Sequence, residues 1–323
     1  MTGENGKLGD DDLDQDQAIE ELLMTTSLGV GTCPAHHGEI VQGMFYADDG
    51  SNVRGLVTLP CHLFSTTAKF LPTPQPDLLV FPSKRAKRKA ARAAELTLTY
   101  LGKSEQGGLL FLGSDSPEGW GLGSSTSDVV ATIRAVANAF HKIIPDNVVA
   151  DISVRAEVAS DSLMFSDDAV LFAHRDGFVI EVFDKALPPL LVLGFDTDPT
   201  HTGVDTLLHP PASYSWEQIE SFRPLRGLLK RGISEQDPRM IGSVATASAK
   251  INQQFLPKPR FPDLLQLAEQ VGAVGIQVAH SGSVVGILFD ANDSATRRSM
   301  ARAVSALRRL GFPACHRFPV GAL

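Results

Sequence analysis

Cysteine is scarce: Cys33, Cys61 and Cys315 are the three in 323 residues. An odd, widely spaced set excludes a disulfide framework, and a chain this long needs no such staples, so a reducing cytoplasm is the expected setting. Long apolar runs are missing as well. No stretch reaches the roughly 18–20 residues that span a bilayer, which excludes a membrane-spanning helix. The first residues are acidic and polar, unlike a secretory signal. No internal repeat is present, which excludes a solenoid. There is no Gly-x-Ser-x-Gly elbow, so a serine hydrolase of that type is excluded. Charge of one sign is also scarce outside one segment. The net charge is -8, but residues 1–21 hold eight acidic groups against Lys7. The remainder is nearly neutral, so overall charge argues for no nucleic-acid partner.

What is present is an ordinary globular balance, 43% hydrophobic and 20% charged, enough for a sizeable core. Residues 1–25 form an acidic leader with few apolar residues, expected to be disordered. Two apolar stretches between Leu28 and Phe45, around Pro34-Ala35-His36-His37-Gly38, predict strand, turn, strand. Val57 to Phe70 predicts a strand broken at Pro60. Ser83 to Ala94 reads as a helix with six basic residues, first a solvated face, with a basic patch for phosphate or nucleic acid as the alternative. The alternation of Leu96, Leu98 and Tyr100 with Thr97 and Thr99 predicts a strand. Apolar residues from Val129 to Phe140 recur at helical intervals. The second half reads as α+β: helices over 219–231, 239–255, 261–271 and 296–310, strands over 190–195, 275–279 and 284–289.

The sharpest feature is Gly119-Trp120-Gly121-Leu122-Gly123-Ser124-Ser125-Thr126, directly before the amphipathic helix. Glycine permits positive φ and close approach of a ligand. A helix N-terminus offers unpaired N–H groups and the positive end of the dipole, an anion site. The hydroxyls can cap the helix, bind phosphate oxygens or reach a magnesium ion. No lysine follows the last glycine, so the loop is not a Walker A motif, and its spacing is not the dinucleotide fingerprint.

Gly121-Leu122-Gly123-Ser124-Ser125-Thr126 resembles the central motif of the GHMP kinase superfamily. Cys33-Pro34-Ala35-His36-His37-Gly38-Glu39-Ile40-Val41-Gln42-Gly43 is similar to the first motif of the L-threonine kinases linked to propanediol use and cobalamin synthesis. Leu256-Pro257-Lys258-Pro259 resembles their C-terminal half, and Ala279-His280-Ser281-Gly282-Ser283 their third motif, a turn that packs near the phosphate loop. The resemblance runs from about residue 28 to about residue 312. It implies an α+β, two-domain GHMP fold, with an N-terminal ribosomal-S5-like half that binds ATP (26–182) and a C-terminal ferredoxin-like half (183–323). It further implies ATP and Mg2+, with Gly119, Gly121, Leu122, Gly123, Ser124, Ser125 and Thr126 around the nucleotide and Ser125 on the metal.

The same resemblance asks for a metal-binding Glu, a proline, a small residue and an Asp-Ser pair. Asp161-Ser162 matches the pair, making Asp161 the base or substrate orienter. The Glu position is taken by Val158, and Glu157 lies one residue early. In a strand that offset turns the side chain to the opposite face unless a bulge or loop restores it, so Glu157 is the lesser metal candidate. Glu39 suits an ammonium group, with Gln42, His280 and Ser281 lining the same cleft. Cys33-x-x-His36 and Cys61-His62 match no zinc pairing. The expected activity is transfer of the γ-phosphate of ATP to the hydroxyl of L-threonine. Another small hydroxylated amine as acceptor, or a non-catalytic metabolite binder, stays open. Partners are expected to be the small-molecule substrate alone, without nucleic acid or membrane; the oligomeric state is open, a homodimer being one option.

Overall fold

A computed structural model describes residues 27–83, 87–117, 120–165, 168–198 and 212–321. The acidic leader, Gly119 and part of the basic run therefore lie outside the described residues.

One curled sheet organises the chain. Its strands are β1 (Gly29–Tyr46), β2 (Asn52–Thr73), β3 (Leu78–Phe81), β4 (Gly107–Ser114), β7 (Leu190–Asp196), β8 (Gly275–Val278), β9 (Val284–Asp290) and β10 (Cys315–Val320), ordered β10-β7-β9-β8-β1-β2-β4-β3. A short ribbon, β5 (Val170–Ala173) and β6 (Phe178–Val182), joins at β2. Helices α1 (Arg88–Tyr100), α2 (Ser124–Ala139) and α3 (Asp146–Glu157) cover one end of the sheet. Helices α4 (Trp216–Ser234), α5 (Pro238–Asn252), α6 (Phe261–Val271) and α7 (Thr296–Arg309) cover the rest.

Three apolar clusters follow from this layering. Phe70, Leu110, Val130, Ile133, Ile152 and Phe172 fill the first, under α1 to α3. Leu59, Val192, Phe222, Leu229 and Ile241 fill the second; Phe195, Leu264, Ile287 and Leu307 fill the third. The first two clusters share β1 and β2, and the candidate site lies where those strands are irregular.

Three expected elements differ. The segment 29–46 is one strand, not strand, turn, strand, because Pro34 to Gly38 is absorbed as register shifts against β2 between Pro34 and Ala35 and between His36 and Glu39. Such bulges keep the strand continuous while re-aiming its side chains. Strand β2 likewise runs through Pro60, which pairs with His36 beside these shifts. Residues 96–100 are helix, the end of α1. Leu96, Thr97 and Leu98 are buried in succession, which the two-sided alternation of a strand would not give, and Thr97 Oγ1 donates back to Ala93 O at 2.7 Å. Helix α3 was not foreseen, although Val149, Ile152 and Ala156 share its buried face.

Candidate active site

The loop before α2 carries Gly121 at φ 81° and Gly123 at φ 65°, the left-handed region that glycine enters without strain. Gly123 is the N-cap of α2 and no side chain caps that end, so the first-turn amides stay open to an anion. The loop is fixed from two sides. His36 N–H donates to Leu122 O at 3.1 Å, and Ser127 Oγ donates to Pro34 O at 2.8 Å, tying it to β1. On the other side Ser283 N–H and Val284 N–H donate to Trp120 O at 3.1 and 3.0 Å. Backbone meets backbone here: a Cβ on Gly121 would lie 2.6 Å from Gly282 Cα. The third motif thus packs on the loop, as expected.

Two carboxylates close on the first turn of α2. Glu157 is the last residue of α3, and Val158 after it takes φ 70°, which ends the helix. A helix end does not obey the two-residue alternation of a strand, so the one-residue offset that weakened Glu157 does not apply. Ser125 Oγ donates to Glu157 Oε2 at 2.8 Å, and Thr126 Oγ1 lies 2.8 Å from Glu157 Oε1 and 3.2 Å from Asp161 Oδ2. Lys89 Nζ stands 4.0 Å from Glu157. Burial pushes the Glu157 carboxyl up to about 7; Lys89 opposes this and the Asp161 charge adds to it.

A second line of charge starts at Asp161. Its Oδ2 lies 2.9 Å from His36 Nε2, and His36 Nδ1 is 3.1 Å from Gly38 O and 3.9 Å from Glu39 Oε1. Glu39 is buried at 2% exposure and accepts from the His280 N–H at 3.0 Å and the His280 ring at 2.7 Å. Buried Lys258 donates to Gly282 O at 2.7 Å and to Leu256 O at 3.3 Å. Burial lowers its ammonium to about 8, against the pull of Glu39.

Of the residues singled out from sequence, the structure joins Ser125, Thr126, Glu157 and Asp161 in one cluster, and Glu39 with His280 in an adjoining one. Leu122 is buried beneath the loop. Gln42 and Ser281 are half-buried and belong to neither cluster; the Gln42 N–H donates instead to Ser248 Oγ. Cys33 and Cys61 are buried in different apolar clusters.

Sequence reasoning missed several groups. Lys87 and Lys89 belong to the basic run read as a solvated face, yet Lys87 Nζ lies 2.7 Å from buried Asp128 on α2. His174, after β5, is buried, and burial drives it down to about 3, with Asp161 opposing and Arg175, His280 and Arg54 adding to the fall. Arg54 Nε, His174 Nδ1 and His280 Nε2 are buried nitrogens without partners among the described residues. A helical pattern in 146–157 was the available signal for Glu157; nothing local signalled Arg54 or His174.

The chemistry fits a magnesium-bound triphosphate. Open amides and left-handed glycines suit phosphate oxygens, and Ser125 with Glu157 forms the hard oxygen donor set that magnesium takes.

Comparison with known proteins agrees. Residues 88–175 match the family model described as GHMP kinases N terminal domain, and residues 227–311 match GHMP kinases C terminal, together just over half of the chain. The chain is 28% identical over 275 residues to L-threonine kinase of Salmonella typhimurium, covering 85% of this chain and 87% of that one. It is 29% identical over 269 residues to L-threonine kinase of Citrobacter freundii, covering 82% and 88%. Its fold is similar to a homoserine kinase from Cytophaga hutchinsonii (TM-score 0.63, 16% identity, 91% and 95% covered) and to mevalonate kinase from Staphylococcus aureus (TM-score 0.59, 12% identity, 92% and 100% covered). No helix among the described residues is long and apolar enough to cross a membrane. With the motif order, the fold and both family matches in agreement, the chain belongs to the GHMP kinases and is a small-molecule kinase.

Proposed function

We propose that the chain moves the γ-phosphoryl group of ATP to the side-chain hydroxyl of L-threonine. The observation that carries this is the meeting of Glu157 and Asp161 on Thr126, at the open end of α2. One carboxylate there can serve a metal and the other the acceptor hydroxyl. The ATP-binding half is assigned to 26–182 and the second half to 183–323.

In this reading the amides around Gly121 to Thr126 hold the phosphates, and Ser125 with Glu157 would hold magnesium, which neutralises charge on the phosphate oxygens. Asp161 aligns the acceptor hydroxyl and accepts its proton as the new O–P bond forms and the bond to the ADP oxygen breaks. Positioning carries most of the catalysis in such transfers. An amino-acid acceptor also brings a carboxylate, the group that the unpartnered nitrogens of Arg54, His174 and His280 are chemically suited to meet. The L-threonine kinase relatives point to the same acceptor. A role in the aminopropanol arm of cobalamin synthesis, and a cytoplasmic setting, follow from the motif resemblance and the cysteine usage. The test is ADP release with L-threonine, L-serine, homoserine and ethanolamine side by side. L-Threonine is expected to give the highest kcat/KM; preference for another acceptor would move the substrate, and no turnover with any would remove the kinase assignment for this site.

A further inference from the structure

We infer that His36 is a positioning residue: a doubly protonated imidazolium, wedged under the phosphate loop, that holds the Asp161 carboxylate ionised and aimed at the acceptor. The inference rests on the reading of Asp161 given above.

The hydrogen bonds of the ring state the case. Both nitrogens face acceptors, Nε2 toward Asp161 Oδ2 at 2.9 Å and Nδ1 toward Gly38 O at 3.1 Å. A peptide carbonyl can only accept, so Nδ1 carries a proton. A second proton must then lie between Nε2 and Asp161. Glu39 Oε1 at 3.9 Å from Nδ1 supplies further negative charge on the far side. That charge favours the imidazolium–carboxylate pair over neutral imidazole and carboxylic acid. Burial by itself would lower the His36 pKa, but the charge and hydrogen bond of Asp161, with Glu39 and the Gly38 carbonyl, raise it to about 9. Asp161 is correspondingly held below the ordinary carboxylate range: burial alone would raise it, and His36, Thr126 and His174 outweigh that.

The ring cannot swing away. It is 1% exposed, and a Cβ on Gly123 would lie 2.0 Å from its Cδ2. The loop glycine and the imidazole occupy each other's space, so the ring couples loop position to carboxylate position. Glu39 is itself fixed by His280. The titratable groups facing this pair are Glu39 from β1, Glu157 from the end of α3, His174 after β5, and, beyond Glu39, His280 and Lys258. The rival is a metal ion on His36, Glu39 and Asp161, whose donor atoms lie within 4.8 Å of one another. It requires a bare Nε2 in place of the proton shared with Asp161, so the protonation of that nitrogen separates the two readings.

The experiment is NMR of the full chain with ring-15N histidine at pH 7.5, the His36 signal assigned by its loss in His36→Gln. Both His36 nitrogens are expected in the imidazolium range, and Asp161→Asn is expected to return them to the neutral pattern. A neutral His36 in the unsubstituted chain, or a shift of its nitrogens on adding zinc or magnesium alone, overturns the inference. The second readout is the pH dependence of kcat with L-threonine. His36→Gln should move the acidic limb upward by about one pH unit or more, because the carboxylate loses its cation; an unmoved limb also overturns it. If His36→Gln fails to fold, the signal is assigned instead by its loss in His36→Asn, and the unsubstituted chain with Asp161→Asn then decides. If no acceptor is phosphorylated, the kinase reading fails while the histidine spectrum still reports on His36.

Discussion

The two walls of the site are built by opposite means. The phosphate-loop wall is backbone: glycines at positive φ, open amides, and main chain packed on main chain where Gly121 meets Gly282. The facing wall is side-chain chemistry, running from half-buried Asp161 through the buried His36, Glu39 and His280 side chains. Backbone amides bind anions without help from a side chain, but Gly121 and Gly123 sit at positive φ and in close contact, so that wall does not tolerate a side chain at either glycine. Buried charges are costly unless each is paired, so the second wall tolerates little loss of a partner.

The largest effect should come from the second wall. Asp161→Asn keeps shape and removes charge, and kcat with L-threonine should fall by about 10²–10⁴-fold while ATP binding by calorimetry stays within about twofold. Full activity would make Asp161 scaffolding and leave the wall without a catalytic role.

The first wall has its own test, because two glycines share one conformation in different surroundings. Gly50 has φ 82° with nothing within 4 Å of an added Cβ, whereas Gly121 has φ 81° and would strike Gly282. Gly50→Ala should cost about 1–2 kcal/mol of stability by urea unfolding, the cost of the backbone conformation. Gly121→Ala should cost about 2–4 kcal/mol, because overpacking adds to it. Equal losses would break the claim that the loop is seated by close approach.

Smaller still is a test of specificity. If Arg54 meets the acceptor carboxylate, Arg54→Gln should raise KM for L-threonine by about 10-fold, the scale of one charge-assisted hydrogen bond. The KM for L-threoninol, which lacks the carboxylate, should not move. An equal rise for both would show that Arg54 only supports the fold.

The walls also differ in how well the sequence announces them. Glycine spacing before an amphipathic helix is local, so Gly121 to Thr126 was legible, as were α6 and the strands β8 and β9, whose periodicity is unambiguous. The charged wall is not local. Glu39 meets His280 across 241 positions, and His36 meets Asp161 only because the Pro34–Gly38 segment bulges rather than turns. Glu157 was underrated because alternation in a strand was assumed where the chain is helical. Residues 96–100 went the other way: Leu-Thr-Leu-Thr alternation satisfies a strand, but after Ala90, Ala91, Ala93 and Ala94 the helix continues, with Leu96, Thr97 and Leu98 buried in succession and Arg92 and Thr99 on its exposed side.

The smallest predicted effect asks where the first wall ends. The basic run read from sequence as a solvated face supplies Lys87, 2.7 Å from Asp128 on the first turns of α2. Asp128 is 5% exposed and also accepts from Thr66 Oγ1 at 3.0 Å, so loss of the lysine leaves the carboxylate one partner rather than none. Lys87→Met should therefore cost about 1 kcal/mol in urea unfolding, between an exposed and a buried ion pair. Arg92→Met is the control: Arg92 is 57% exposed, with Glu95 at 3.7 Å, and its loss should be close to neutral. The Lys87 effect should persist in high salt because its partner is shielded from solvent ions, whereas an exposed pair is screened. Indistinguishable variants would return Lys87 to the solvated face and confine the first wall to the loop and the start of α2.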